Sequence, residues 1–350
     1  MTYWEERFLN LKERGLNTAN ETYKDLTSIY AYSLEKYENQ IAGFIQRYAN
    51  NNQINLADAR KQLSARELKA FKLTLQQYVK LAQQKDLSPK QIRLLENASI
   101  RARLTRLEEL WIHTSQFVEL LAAQQHTNIN DALNKVFTST YYEAAYITQQ
   151  LQGQYQTFRQ IPKKAIQEAI NTPWLESNFS DRIWDRRDKL ILKLQQEITR
   201  SFISSEPTER ITERIAESFD TDLHQARRLV ETEVAYVQEL ALNQTFKELN
   251  VDKYQILATL DTHTSSVCRH LDKKIIDRKD FKPGVTSPPF HPHCRSTMIP
   301  YVGELMGRSA RIDGKSQYID DMTYEEWHKE YVKSVSYTHL RAHETPEHLV

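Results

Sequence analysis

The sequence is poor both in residues that punctuate a chain and in residues that staple it. Seven glycines in 350 residues are too few for the tight turns of a sandwich or barrel. Two cysteines, Cys268 and Cys294, exclude a disulfide framework and fit a reducing cytoplasm. No apolar run approaches the ~20 residues that span a bilayer. Residues 1–15, MTYWEERFLNLKERG, scatter charges where a secretory leader carries an apolar centre. A surplus of one charge is also missing. The 47 basic and 46 acidic side chains leave a net charge of +1, so bulk charge does not hold this chain on nucleic acid.

What is present up to about residue 250 is helix-forming sequence. Ser64-Ala65-Arg66-Glu67 has the form of a capping box, and Ser88-Pro89 that of a cap followed by proline at the first helical position. The run from Lys90 to Gln125 carries apolar residues at three- and four-residue spacing without Gly or Pro and predicts one long helix. Another helix is expected to start at Asn130-Asp131, and breaks at Pro162 and Pro173. Ser180 or Asp181 is expected to cap the next amphipathic stretch. A short helix is expected from Pro207-Thr208-Glu209, followed by a separate long one over about 221–249. Glu231-Thr232-Glu233 has the spacing of paired carboxylates but falls in that helical run, which predicts a solvated face.

The character changes near residue 253. KYQILATLD and STMIPYV read as short strands. Four of the seven glycines fall between 284 and 314, five of the ten prolines between 283 and 300, and four of the eleven histidines between 263 and 293. The expected fold is therefore mainly α: an elongated helical bundle followed by a small α+β clasp module with short strands and a Pro/His/Cys-rich loop. The expected divisions are a helical region over 1–220, the compact module over 221–305, and a helical extension over 306–334. Residues 335–350, VSYTHLRAHETPEHLV, look like a translated sequencing adapter, with the natural chain expected to continue past Ser334.

Two readings of the module stand open on its residues. Cys268, His291 and Cys294, with Asp261 as a fourth candidate, offer the thiolate, imidazole and carboxylate ligands of a zinc site. A second cysteine near each thiol is lacking, because Ser265 and Ser296 stand there. Alternatively the stretch is a metal-free clasp, stiffened by Pro288, Pro289 and Pro292 and tied by Asp272 and Arg295, with Arg295 free to pair with Asp261 or Asp272. Zinc is the one cofactor in question. Lys273, Lys274, Arg278 and Lys279 form a local basic group that could touch DNA, diluted by Asp272, Asp277 and Asp280.

The order of features resembles a known family. Leu260-Asp261, Thr264-Ser265, Cys268, Leu271-Asp272, Pro288-Pro289, His291-Pro292 and Cys294-Arg295-Ser296 follow the pattern of the phage Mu protein F-like head morphogenesis family. YWEERFLNLKE, LSARELKAF, NTPWLESNFSDRIW and MTYEEWHKEYV extend the likeness to minor capsid proteins of tailed phages of Gram-positive bacteria. The resemblance implies a structural, non-enzymatic virion protein inside the head near the portal vertex. It would be made in the host cytoplasm, bind the portal protein, and act in procapsid assembly and in DNA packaging and exit. Scaffold or major capsid protein and packaged double-stranded DNA are further implied partners; a membrane is not. The resemblance gives His263, His270 and His293 no role. Two other functions remain as alternatives: a zinc-dependent hydrolase or nuclease built on Cys268, His291 and Cys294, and a carrier for a C-terminal effector domain.

Overall fold

The computed structural model describes residues 3–52, 106–203, 208–259, 264–301, 310–312, 315–317 and 332–333. The elements in chain order begin with helices α1 (Tyr3–Asn52) and α2 (Arg106–Gln152), strand β1 (Phe158–Arg159), and helices α3 (Lys163–Asn171), α4 (Phe179–Ile203) and α5 (Thr208–Glu248). Strand β2 (Lys253–Leu257), helix α6 (Ser266–Leu271), β3 (Ile275–Asp277) and β4 (Thr297–Pro300) follow, then β5 (Ala310–Ile312), β6 (Lys315–Gln317) and β7 (Val332–Lys333). The fold is mainly α with a small sheet, as expected. No helix among the described residues is long and apolar enough to cross a membrane.

The long helices bury a stripe with an eleven-residue period. On α1 the buried positions Phe8, Leu11, Gly15, Ala19, Thr22, Leu26, Tyr30, Ser33, Tyr37 and Ile41 repeat steps of three, four and four. Eleven residues in three turns is about 3.67 per turn, close enough to 3.6 that one face stays buried along the helix. Leu110, Thr114, Val118, Leu121, Gln125, Ile129, Ala132 and Val136 continue the same stepping on α2. That pattern explains why α2 runs through Asn130-Asp131 rather than starting there: Ile129 and Leu133 are both fully buried. The Asn130 side chain is held from outside the helix, accepting from Gln167 Nε2 at 2.9 Å. Likewise α5 is one helix where two were expected. The LSARELKAF and Ser88-Pro89 signals lie outside the described residues.

The chain packs as two compact units, each discontinuous in sequence. One gathers Met1–Thr22, Ile129–Phe179 and Arg228–Val350; the other gathers Tyr23–Asn128 and Ser180–Arg227. In the second unit Tyr30, Tyr37, Leu110, Val118, Leu190, Leu194, Ile215 and Phe219 form the core. Asp222 there accepts from Arg186 Nε at 3.2 Å and Nη2 at 3.0 Å, and also from the Tyr30 hydroxyl.

The first unit carries the sheet. Its order is β3-β2-β4, both pairings antiparallel, with Gln255 opposite Ile275 on one side and Ile299 on the other. Every residue of β4 is buried. Pro300 is tolerated because β4 lies at the edge of the sheet, where a missing N–H breaks no ladder. Within 306–334, expected to be helical, the described residues are strands: β5 pairs with β6, and β7 runs parallel to β1. Asp313-Gly314, between β5 and β6 in sequence, is a hairpin signal that the helical expectation passed over. MTYEEWHKEYV lies mostly outside the described residues, as does 335–350.

Candidate functional site

The site is built where two short segments converge. The first is α6. Ser265 caps it, its hydroxyl accepting from Cys268 N–H at 3.2 Å. The Asp272 N–H closes its end on the Cys268 carbonyl at 2.9 Å. These caps set the Cys268 side chain inward, 3% exposed. Asp272 then turns its carboxylate onto Ala258 N–H at 2.9 Å, fastening α6 to the end of β2.

The second segment is the turn His291-Pro292-His293-Cys294, closed by Cys294 N–H donating to the His291 carbonyl at 3.2 Å. Proline at its second position presets φ for a turn. His293 occupies the third with φ of 61°, a left-handed conformation that costs a non-glycine residue. The upstream Pro288–Pro289 peptide is cis. Cys294 ends the turn 1% exposed and packs with Cys268, Ala258 and Phe290.

The structure thus brings together Cys268, His291 and Cys294. Cys268 Sγ lies 3.1 Å from His291 Nε2 and 3.7 Å from Cys294 Sγ. His291 Nδ1 is 2.8 Å from the Pro292 carbonyl oxygen and must donate to it. That leaves Nε2 turned toward the thiols. Both cysteines are free thiols. Donation from the Cys294 thiol pulls Cys268 down to about 5, against its burial, with help from the Ser265 and Ser296 hydroxyls and the Arg295 charge. Cys294 is pushed up for the converse reason, since it holds the donated proton and is itself buried. The pair therefore carries one thiolate readily and resists a second.

The remaining residues expected at the site are placed as follows. Asp261 and His263 lie outside the described residues. The Arg295 carbonyl accepts from the Thr259 hydroxyl at 3.3 Å, so the arginine ties the clasp through its backbone. Its charge reaches Cys268. Lys273 pairs with Glu5, Lys274 Nζ lies 3.0 Å from His270 Nε2, Arg278 Nε donates to the Val251 carbonyl at 3.0 Å, and Lys279 lies 3.8 Å from Asp277. Lys273, Lys274 and Lys279 are exposed and make surface pairs, while Arg278 is partly buried against Val251.

One expectation is corrected. The Glu231–Glu233 stretch is not a solvated face: Glu233 is 1% exposed and accepts from Trp174 Nε1 at 3.1 Å, while Trp174 stacks on Tyr236 with centroids 4.4 Å apart. The His293 ring pairs with Glu231 and so ties the turn to α5.

Nothing in the sequence pattern singles out Glu239. It is fully buried, and it accepts from Lys12 Nζ at 3.0 Å and from Met298 N–H at 3.0 Å. Burial raises its carboxyl above the ordinary range, opposed by Lys12, Met298 N–H and Thr297. One signal does exist in the fold: residues 233–239 are buried without interruption, and an acid in such a run needs a partner.

Comparison with known proteins adds the following. Residues 192–299 match the family described as Phage Mu protein F like protein. Over 251 residues the chain is 23% identical to a protein of Enterococcus faecalis (strain ATCC 700802 / V583) named NAD(+)--arginine ADP-ribosyltransferase EFV, a match covering 67% of this chain and 51% of that protein. The chain thus spans about half the length of the curated relative it matches. No solved structure matches it.

Proposed function

We propose that this chain, whose residues 192–299 belong to the phage Mu protein F like family, is a structural minor protein of a phage head that binds the portal and acts in procapsid assembly and in DNA packaging and exit. The family match carries the reading; the transferase name belongs to the Enterococcus faecalis protein. The chain acts inside the head after synthesis in the host cytoplasm. It does so without catalysis of its own. Cys268 beside His291 has the parts of a nucleophile and base, and its burial at 3% exposure supports the non-catalytic reading.

The test is co-expression with the portal protein of the same phage. The expected result is a complex that survives size exclusion, with the protein present in purified virions. Absence from virions together with no portal binding overturns the reading.

A further inference from the structure

We propose that Cys268, His291 and Cys294 together hold a zinc ion, which clips α6 to the Pro-rich turn through three protein ligands among the described residues. The three ligand atoms lie within 4.8 Å of one another, drawn from segments 23 and 26 residues apart. Borderline-soft Zn²⁺ favours this mixture of thiolate and imidazole over the harder cations.

Three observations fit an ion held here. The first is spacing. A tetrahedral ion with Zn–S of about 2.3 Å sets its two sulfurs about 3.75 Å apart; the observed separation is 3.7 Å, which two thiols in contact also adopt, and the 3.1 Å from Cys268 Sγ to His291 Nε2 opens to about 3.5 Å around the ion. A disulfide needs about 2.05 Å. The second is the imidazole. His291 Nδ1 is tied to the Pro292 carbonyl, the outer contact that orients a metal-binding histidine and leaves Nε2 as the ligand. A Cys268–His291 hydrogen bond alone would not require Cys294 to converge on the same point. The third is surroundings. Ala258 and Phe290 enclose the sulfurs, while His291 is only partly buried, so an ion has an entry side. Binding releases the thiol proton that the pair still holds to solvent, with no other covalent change.

The proposal does not depend on portal binding, and its test uses the whole purified chain with no partner. After expression with zinc and removal of loose metal, about one zinc per chain is expected. The two thiols should be shielded from a mercurial or disulfide reagent until the zinc is displaced. Cobalt substituted for zinc should give thiolate-to-cobalt charge-transfer bands and tetrahedral d–d bands in the unmutated protein, a readout that survives even if variants fold poorly. Cys294→Ser and His291→Ala should each lower zinc affinity at least tenfold. His293→Ala, which removes a neighbouring imidazole that points to Glu231, should retain the ion. Reduced protein that takes up neither zinc nor cobalt overturns the proposal. So does zinc that persists unchanged in both Cys294→Ser and His291→Ala.

Discussion

Lys12 Nζ and Glu239 Oε1 lie 3.0 Å apart with their side chains 2% and 0% exposed. The pair joins the start of α1 to α5, and the second Glu239 oxygen holds the Met298 N–H of β4. A carboxylate in this position is tolerated because each of its oxygens has a donor.

Lys12→Met removes one donor and leaves a buried charge. A loss of about 3–5 kcal/mol is expected near neutral pH. The loss should depend on pH. Burial already raises the Glu239 carboxyl above its unfolded value, and without Lys12 it rises further. A group raised on folding contributes most below its unfolded value, and that contribution fades as pH climbs through the folded one. The Lys12→Met penalty should therefore be largest at pH 8 and shrink toward pH 5. Urea unfolding at the two pH values checks this, and an equal penalty at both contradicts it.

Gly15 sits in the buried stripe of α1, where a Cβ would meet the Gln238 side-chain amide at 2.7 Å. Gln238 is 1% exposed and donates to the Leu11 carbonyl at 2.7 Å. Gly15→Ala should gain about 1 kcal/mol of helix propensity yet lose about 1–3 kcal/mol through the displaced amide and its broken bond. Net destabilisation is expected, whereas Gly43→Ala, with nothing within 4 Å, should be stabilising. Thermal unfolding of the two variants compares them directly.

His293 combines a left-handed backbone with the Glu231 contact. His293→Ala loses the contact and keeps the conformational cost, while His293→Gly loses the contact and relieves about 1 kcal/mol of that cost. The glycine variant should be the more stable of the two by that amount in urea. Equal stabilities would show that the turn does not hold this conformation.

In the second unit, Asp222→Ala should cost about 3–5 kcal/mol by leaving Arg186, only 11% exposed, without its carboxylate. Adding Arg186→Met should recover much of the loss. A double variant no more stable than the single would place the cost in the Tyr30 contact instead.

The helical class could be read from the sequence because scarce glycine and proline leave long periodic runs uninterrupted. The segments of the clasp could be read because Cys, His and Pro are concentrated where the rest of the chain has few. Helix starts were harder. Asn130-Asp131 looks like a cap, but burial of Ile129 and Leu133 outweighs a local preference worth about 1 kcal/mol. Glu239, Glu233 and Lys12 could not be matched to partners from spacing alone. Glu239 and Lys12 stand 227 residues apart, and only the folded chain says which base meets which acid. Convergence of Cys268 with His291 is one of the options that residue types leave open. The orientation of the imidazole is not, because it depends on the Pro292 carbonyl, which residue identity cannot place.

The stripe from Phe8 to Ile41 spans three full repeats of eleven, and this gives α1 a natural unit of length. Removing or adding eleven residues within it returns every later side chain to within about 20° of its original bearing, at roughly 100° per residue. A change of four turns the rest of the helix by about 40° and a change of two by about 160°, at roughly 100° per residue. Natural variants of this helix should therefore differ in length by elevens or sevens, each of which shifts the face by only about 20°, and an engineered ruler built on it should be cut in the same steps.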